Sequence, residues 1–319
     1  MEETGRPLII LTGPTAVGKT ALSIALAKAV GGEIISADSM QVYRHMDIGS
    51  AKITKEEMEG VPHHLIDVLE PTQEFNVVVF QEMARQAAEE IYSRGHIPIL
   101  VGGTGFYIQA LLYDIDFTEN DEDTALRRSL EEFARREGTG ALFERLRAVD
   151  PESCESIHAN NIKRVIRAIE FYEKTGTKIS AHNEEQRRNR SPYRFAYFVL
   201  NDVRERIYQR IDERVDLMME RGLVEEVRAL QALGCHSGMV SMQGLGYRQI
   251  LSCLEGNGSL EEAVYLIKRD TRHFAKRQLT WFRREKQVTW VEKNVFDQKS
   301  QKMLAFMQDF LRENAVILQ

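Results

Sequence analysis

The sequence predicts an α/β fold, a P-loop NTPase-like parallel sheet with helices on both faces, interrupted by a mainly helical insertion. Three observations predict it. The β-rich apolar run Leu8 to Thr12 passes through a glycine-bearing turn straight into a helical pattern. Further apolar runs alternate with helical stretches long enough for the crossovers that parallel strands require. From residue 114 to residue 190 strand-like runs vanish and charged helical segments replace them.

The first helix carries its apolar positions at Ala21, Leu22, Ala25, Leu26 and Ala29. Glu33 to Ala37 and His64 to Val68 precede polar turns and are expected as buried strands. After Asn76 a helix is expected with Phe80, Met83, Ala84, Ala87, Ala88 and Ile91 inward and Glu82, Arg85, Glu89 and Glu90 outward. Ile97 to Val101 returns as a strand. In the insertion, Ala125 to Glu137 and Asn161 to Thr175 have helical character. Phe195 to Leu200 restores a strand, and the rest is mostly helical, with a last strand-like run at Val288 to Val291.

A chain of 319 residues exceeds one ordinary core. The expected division is a core of residues 1–113 with 191–319, and a helical insertion of residues 114–190. Hydrophobic and charged contents of 43% and 28% suit a water-soluble globular protein. No apolar run approaches the roughly 18 to 20 residues of a membrane span. Met1 to Pro7 lacks the basic and apolar regions of a secretory signal, so a cytoplasmic location is expected. Cys154, Cys235 and Cys253 are far apart and form no CxxC, which argues against a disulfide framework or zinc site. The net charge of −6 excludes a protein basic all over, yet Val264 to Lys293 holds nine Lys/Arg against three acids, a local footprint for phosphates.

Gly13, Pro14, Thr15, Ala16, Val17, Gly18, Lys19 and Thr20 fit GxxxxGK[ST] between a strand and a helix, the context that motif demands. The glycines let successive N–H groups point inward, and the helix N-terminus adds partial positive charge. A polyphosphate is the natural ligand. Lys19 would neutralise its outer phosphate, and the Thr20 hydroxyl would help hold Mg²⁺. The loop does not choose among phosphate compounds. His64 to Asp67 is the one candidate for a run supplying a second magnesium ligand.

Asp38, Ser39, Met40 and Gln41 follow a strand at the edge where open α/β sheets bind ligands. Asp38 reads either as a general base or as an Asp cap of the next turn. Val101 to Tyr107 repeats the strand-then-glycine design and leaves Thr104 at the same edge, either to bond a substrate or as part of a tight turn. A small-molecule kinase would fit these features, so Asp38 alone does not choose the reaction. A nucleotide-controlled RNA-binding module would not require Asp38 and Thr104. Arg206, Arg210 and Arg214 recur every four residues, opposite Val203, Ile207, Ile211 and Val215, facing either a diphosphate or RNA. His63 and His64 point to opposite faces of a strand and are expected to be structural. Trp281 and Phe282 are expected in the core.

GPTAVGKT, DSMQVY (38–43), GSAKI (49–53), PHHLID (62–67), VGGTGFY (101–107), NIKRVIRAIE (161–170), GLVEEV, GLGYRQ and AKRQLTWFR occur in order. The ordered set resembles the bacterial tRNA dimethylallyltransferase family over nearly the whole chain. Ser50, Ile53 and Leu245 depart mildly from its pattern. The resemblance implies transfer of a dimethylallyl group from dimethylallyl diphosphate to N6 of adenosine 37, just 3′ of the tRNA anticodon, releasing pyrophosphate. It implies Asp38 as base, Thr104 at the transfer centre, and Lys19 with Arg204 on the diphosphate. It further implies that Asp38, Ser39, Met40, Gln41 and Thr104 face the base. Arg127, Lys163, Arg164, Val165, Ile166, Arg167, Gln243, Gly244, Leu245, Gly246, Tyr247 and Arg248 are implied to contact RNA. A monomer is expected, since no heptad seam appears.

Overall fold

The fold was obtained as a computed structural model, in which residues 5–117, 125–186 and 189–317 are described. Residues 1–4, part of the segment read for a secretory signal, lie outside them. The chain forms two compact units, Met1–Leu112 with Pro192–Gln319, and Tyr113–Ser191.

In the larger unit β1 (Arg6–Thr12) leads into α1 (Lys19–Val30), β2 (Gly32–Ala37), β3 (His63–His64), α2 (Val77–Ser93), β4 (Ile97–Gly102) and α3 (Gly105–Leu112). The smaller unit contains α4 (Ala125–Val149), α5 (Ser153–Ser156), α6 (Ile162–Thr175) and α7 (Ile179–Gln186). The chain then returns to the larger unit with β5 (Tyr193–Asn201), α8 (Arg204–Glu220), α9 (Leu223–Ala232), α10 (Tyr247–Leu254), α11 (Leu260–Phe282), β6 (Thr289–Glu292) and α12 (Ser300–Glu313). Among the described residues six strands pair in parallel in the order β3-β2-β4-β1-β5-β6. Ile9, Leu11, Ile34, Ile99, Phe198 and Leu200 from its strands pack with Leu22 and Leu26 of α1 and with Met303, Met307 and Leu311 of α12.

Local chemistry accounts for the helix ends. Asn76 caps α2 by accepting from the Val78 and Val79 amides, which gives a partner to two N–H groups the helix cannot satisfy itself. In the smaller unit α4 breaks at Gly138 (φ 88°, ψ 162°), so its first segment ends where Ala125 to Glu137 was expected to end. Leu130, Leu142 and Leu146 of α4 pack against Val165, Ile166 and Ile169 of α6. Among the described residues no helix is long and apolar enough to cross a membrane. The three cysteines are free thiols, and Cys235 is buried.

One expected strand shrinks. Of the run His64 to Val68 only His64 pairs, joined by His63 before it, because Leu65 (φ 63°) and Asp67 (φ 55°) enter the left-handed region and turn the chain off the sheet. The two histidines take separate structural roles: His63 Nδ1 meets the Val61 carbonyl, and His64 Nε2 meets Glu33 at 2.7 Å.

Glu33 is 2% exposed at the amino end of β2, away from the ligand edge. Its carboxylate accepts from Arg94 Nε and Nη2 at 2.9 and 2.8 Å and lies 2.6 Å from His96 Nδ1. The Arg94 hydrogen bonds pull its pKa down to about 2, with His64 and His96 adding to the effect and burial opposing it. This stabilisation is complete above the ordinary value of 4.5 and is lost as pH falls towards 2. Glu33→Gln is therefore expected to cost about 2 to 3 kcal/mol near pH 7, at the low end for a broken buried pair because Arg94 keeps much of its hydration. It also flattens the acid limb of the stability curve between those two pH values. Urea denaturation at a series of pH values measures both effects.

Candidate active site

β1 ends at Thr12, and the loop that follows curls over the start of α1. Gly13 (φ 142°) lies so close to β5 that a Cβ would stand 2.2 Å from the Leu200 carbonyl oxygen. Gly18 caps α1 in the left-handed conformation. Ala16 packs against Ile207 and Ile211 of α8 and Ala275 of α11, which fixes the loop from above. Lys19 folds back so that Nζ donates to the carbonyls of Gly13 and Pro14, both at 2.9 Å. Burial lowers its pKa to about 8; the charge of Arg214 acts in the same direction, and that of Asp38 opposes both. The exposed Thr20 hydroxyl makes no hydrogen bond among the described residues.

Strand pairing brings three chain exits together. Ala37 of β2 and Thr12 of β1 both pair with Gly102 of β4, so the segments after all three residues emerge side by side. Asp38 Oδ1 accepts from the amides of Met40 (2.8 Å) and Gln41 (3.3 Å), while Oδ2 has no partner among the described residues. The two sequence readings of Asp38 are thereby compatible: one oxygen caps the turn and the other stays available. The Thr104 amide meets the Ala37 carbonyl at 3.4 Å, and its half-buried hydroxyl is likewise uncommitted.

Gln278 of α11, absent from the expected site, joins the two glycine loops. Its Oε1 accepts from the Thr15 amide and its Nε2 donates to the Gly103 carbonyl, both at 2.9 Å. A Cβ on Gly103 would sit 2.2 Å from that Nε2, so any side chain there would displace the Gln278 amide from its bond to this loop. Nothing in local sequence marks a neutral glutamine so distant along the chain.

The α8 arginines do not share one task. Asp202, buried at the end of β5, takes Arg210 at 2.9 Å and Arg206 at 3.5 Å. Arg214 makes no hydrogen bond or salt bridge among the described residues, and burial lowers its pKa. Its charge acts on Lys19. The expectation that these arginines lie opposite Ile207 and Ile211 is corrected: one residue along a helix turns only about 100°, so Ile207 and Ile211 reach Ala16 of the phosphate loop while Arg214 in the adjacent row acts on Lys19. Arg204 is exposed on the first turn of α8, its guanidinium 4.9 Å from the Tyr208 ring centroid. Lys293, beyond β6, donates to the Val17 carbonyl at 3.2 Å and adds a cation that the motif did not reveal.

Asp67 does not serve the phosphate loop. It binds Lys52 at 2.5 Å on the far edge of the sheet, separated from β1 by β2 and β4. Phe282 is buried as expected, while Trp281 is half-buried.

The segments expected to meet RNA are divided by burial. Lys163 and Arg164 are exposed on α6 and Arg167 is half-buried, but Val165 and Ile166 belong to the core of the smaller unit, so their side chains are corrected from contact to packing. Arg127 binds the buried Glu170 through Nε (3.1 Å) and Nη2 (2.7 Å), tying α4 to α6. In the larger unit Gln243 and Arg248 are exposed and Leu245 half-buried, whereas Gly244, Gly246 and Tyr247 are buried. Tyr247 is removed from direct contact because its hydroxyl is spent on Glu226 at 2.7 Å. On α11, Lys268, Arg269 and Arg272 pair with Asp216, Asp270 and Asp212. His273, Lys276, Arg277, Thr280, Trp281 and Arg284 line an open groove.

The family model described as IPP transferase matches residues 41–285, and that described as isopentenyl transferase matches residues 7–73. A tRNA dimethylallyltransferase of Lachnoclostridium phytofermentans is 62% identical over 98% of this chain and 99% of its own. One of Carboxydothermus hydrogenoformans is 52% identical over 89% of this chain and 91% of its own. Among solved structures, a tRNA isopentenylpyrophosphate transferase of Bacillus halodurans is 44% identical with a TM-score of 0.73, covering 97% of this chain and 98% of that one. A eukaryotic dimethylallyltransferase, described as acting on tRNA, gives a TM-score of 0.82 at 30% identity, covering 96% of this chain and 79% of that one. The kinase alternative finds no support among these relatives, and the chain belongs to the tRNA dimethylallyltransferase family.

Proposed function

We propose that the protein transfers the dimethylallyl group of dimethylallyl diphosphate to N6 of adenosine 37, 3′-adjacent to the tRNA anticodon, giving N6-isopentenyladenosine and pyrophosphate. The observation that carries this reading is a carboxylate, Asp38, whose Oδ2 has no partner among the described residues and which leaves the sheet at the same edge as the phosphate loop, with β4 between the two strands. A cation set for a departing diphosphate beside a base set for a proton is the requirement of this transfer.

In the reaction the C–O bond of the donor breaks with its electron pair leaving on pyrophosphate. The N6–C bond forms, and the N6 proton passes to Asp38 Oδ2. Adenine N6 is a poor nucleophile because its lone pair is delocalised, so proton removal as the bond forms assists it. Lys19, Arg214 and the loop amides take up the negative charge of the leaving group, with the exposed Arg204 as a further contact. Gln278 ties the phosphate loop to Gly103, the residue before Thr104, and in this reading that positions Thr104 for the transfer. Thr20 is the residue that fits Mg²⁺. Its exposed hydroxyl, which makes no hydrogen bond among the described residues, would hold the ion. When bound, it supplies further charge neutralisation on the leaving group.

A stacked anticodon-loop base must be extruded to reach these groups. Asp38 to Gln41 and Thr104 receive it in this reading. Lys163, Arg164, Arg167 and Arg127 of the smaller unit and Gln243, Leu245 and Arg248 of the larger one hold the RNA, together with the cationic groove on α11. One chain carries the complete set of reacting groups, consistent with a monomer acting in the cytoplasm. Incubation with labelled dimethylallyl diphosphate and unmodified anticodon stem-loop is expected to label the RNA with equimolar pyrophosphate release. ATP turnover without RNA, combined with no labelling, would overturn the assignment.

A further inference from the structure

Glu226 of α9 lies outside the reacting groups, yet its carboxylate is fully engaged. Oε2 accepts from the amides of Asp47 (2.9 Å) and Ile48 (2.7 Å). Oε1 accepts from the Gly49 amide (3.0 Å) and the Tyr247 hydroxyl (2.7 Å). Three successive backbone N–H groups converging on one anion form a nest, here filled by the protein's own side chain. Tyr247 is fully buried, and burial together with the Glu226 charge keeps its hydroxyl protonated as a donor.

The clamp connects two segments of the proposed site. One is the stretch from Asp38 to Lys52, which is folded on itself: Gln41 Nε2 reaches the carbonyls of Ser50 and Ala51, both at 3.4 Å. Lys52, with a side chain only 5% exposed, donates to the Tyr43 carbonyl and Asp47, both at 2.6 Å. The other is the stretch from Gln243 to Arg248. A Cβ on Gly244 would stand 2.6 Å from Met40 Sδ, and one on Gly49 would stand 2.6 Å from the Tyr247 ring. The two segments therefore touch next to the base-facing turn and again at the clamp.

We infer that Glu226 is a positioning residue that locks the Asp38–Lys52 stretch to the Gln243–Arg248 segment. RNA contact at Gln243 and Arg248 then fixes the turn that presents Asp38 to the target base. The inference rests on the proposed transfer reaction for its kinetic consequence, but its structural content can be tested separately. Glu226→Gln preserves size while placing an amide N–H₂ among N–H donors. With RNA and donor both saturating, kcat is expected to fall by about tenfold to a hundredfold, the range for a small misplacement of reacting groups. The KM for dimethylallyl diphosphate should stay within about twofold, because uniform donor binding is untouched.

Hydrogen exchange supplies the readout that general destabilisation would not mimic. In Glu226→Gln the amides of residues 47–49 and also those of Met40 and Gln41 should exchange faster, while β1 and β4 keep their protection. Acceleration confined to residues 47–49, or an unchanged kcat, would overturn the coupling. Tyr247→Phe keeps all three backbone bonds and covers the case in which Glu226→Gln does not fold. It is expected to lower kcat about fivefold, as for loss of one net hydrogen bond, with faster exchange at Met40, and no change in either would overturn the inference. If the wild type labels no RNA, the functional reading falls while the exchange pattern still decides the coupling.

Discussion

Asp38→Asn should lower the single-turnover rate of RNA prenylation by about 10² to 10⁴-fold, the usual contribution of a positioned general base. Anticodon stem-loop affinity should change little. Asparagine is the informative replacement because Asp38 divides its work between two oxygens. Oδ1 accepts from the Met40 and Gln41 amides, a task an asparagine Oδ1 performs equally well. Oδ2, which has no partner among the described residues, becomes an N–H₂ group that cannot take the N6 proton. Asp38→Ala removes both functions and should additionally loosen the turn and weaken RNA binding. If Asp38→Asn transfers at the wild-type rate while Asp38→Ala fails, the residue is only a cap, and proton removal must be assigned elsewhere. Quenched-flow labelling and filter binding with the same stem-loop distinguish these outcomes.

What the sequence revealed and concealed follows the range of the forces involved. The first strand, loop and helix were legible because glycine placement, the lysine and the change of period from strand to helix are all local. Placing Asp38 and Thr104 at one edge followed from parallel topology, since every strand of a parallel sheet delivers its carboxyl end to the same side. The third strand was overread because Leu65 and Asp67, neither a glycine, adopt positive φ under tertiary constraint. Gln278 and Glu226 stayed hidden because each acts on backbone amides far away in the chain, and backbone amides leave no mark in a sequence. Alternation of burial within 243–248 could not be anticipated either: Tyr247 resembles an aromatic platform for RNA until Glu226 is found against its hydroxyl.

The phosphate loop should behave as a titratable anion trap. In the free protein Lys19 has a pKa of about 8, with burial the larger cause and the Arg214 charge the next. The charged lysine attracts a diphosphate more strongly than the neutral one, so the ratio of wild-type to Lys19→Ala pyrophosphate affinity, in which the ligand's own titration cancels, should fall as pH rises through 8. The bound anion favours the charged form, so binding above pH 8 should take up a proton, which calorimetry in buffers of different ionisation enthalpy detects as a buffer-dependent heat. Lys19→Ala should leave only the ligand's own pH dependence and lower kcat/KM for the donor by about 10² to 10³-fold, as for loss of a charge-stabilising group at a leaving oxygen. Arg214→Met removes one of the two influences that depress Lys19, so the inflection should move to higher pH while overall affinity drops. Because Arg214 has no salt-bridge partner among the described residues, its removal strands none of their acids, and the unliganded protein should be as stable as the wild type or more so. Weaker pyrophosphate binding at undiminished thermal stability would separate a ligand-binding role from a structural one. An inflection that stays in place in Arg214→Met, or a wild-type pH dependence that survives in Lys19→Ala, would remove these two residues from the diphosphate site.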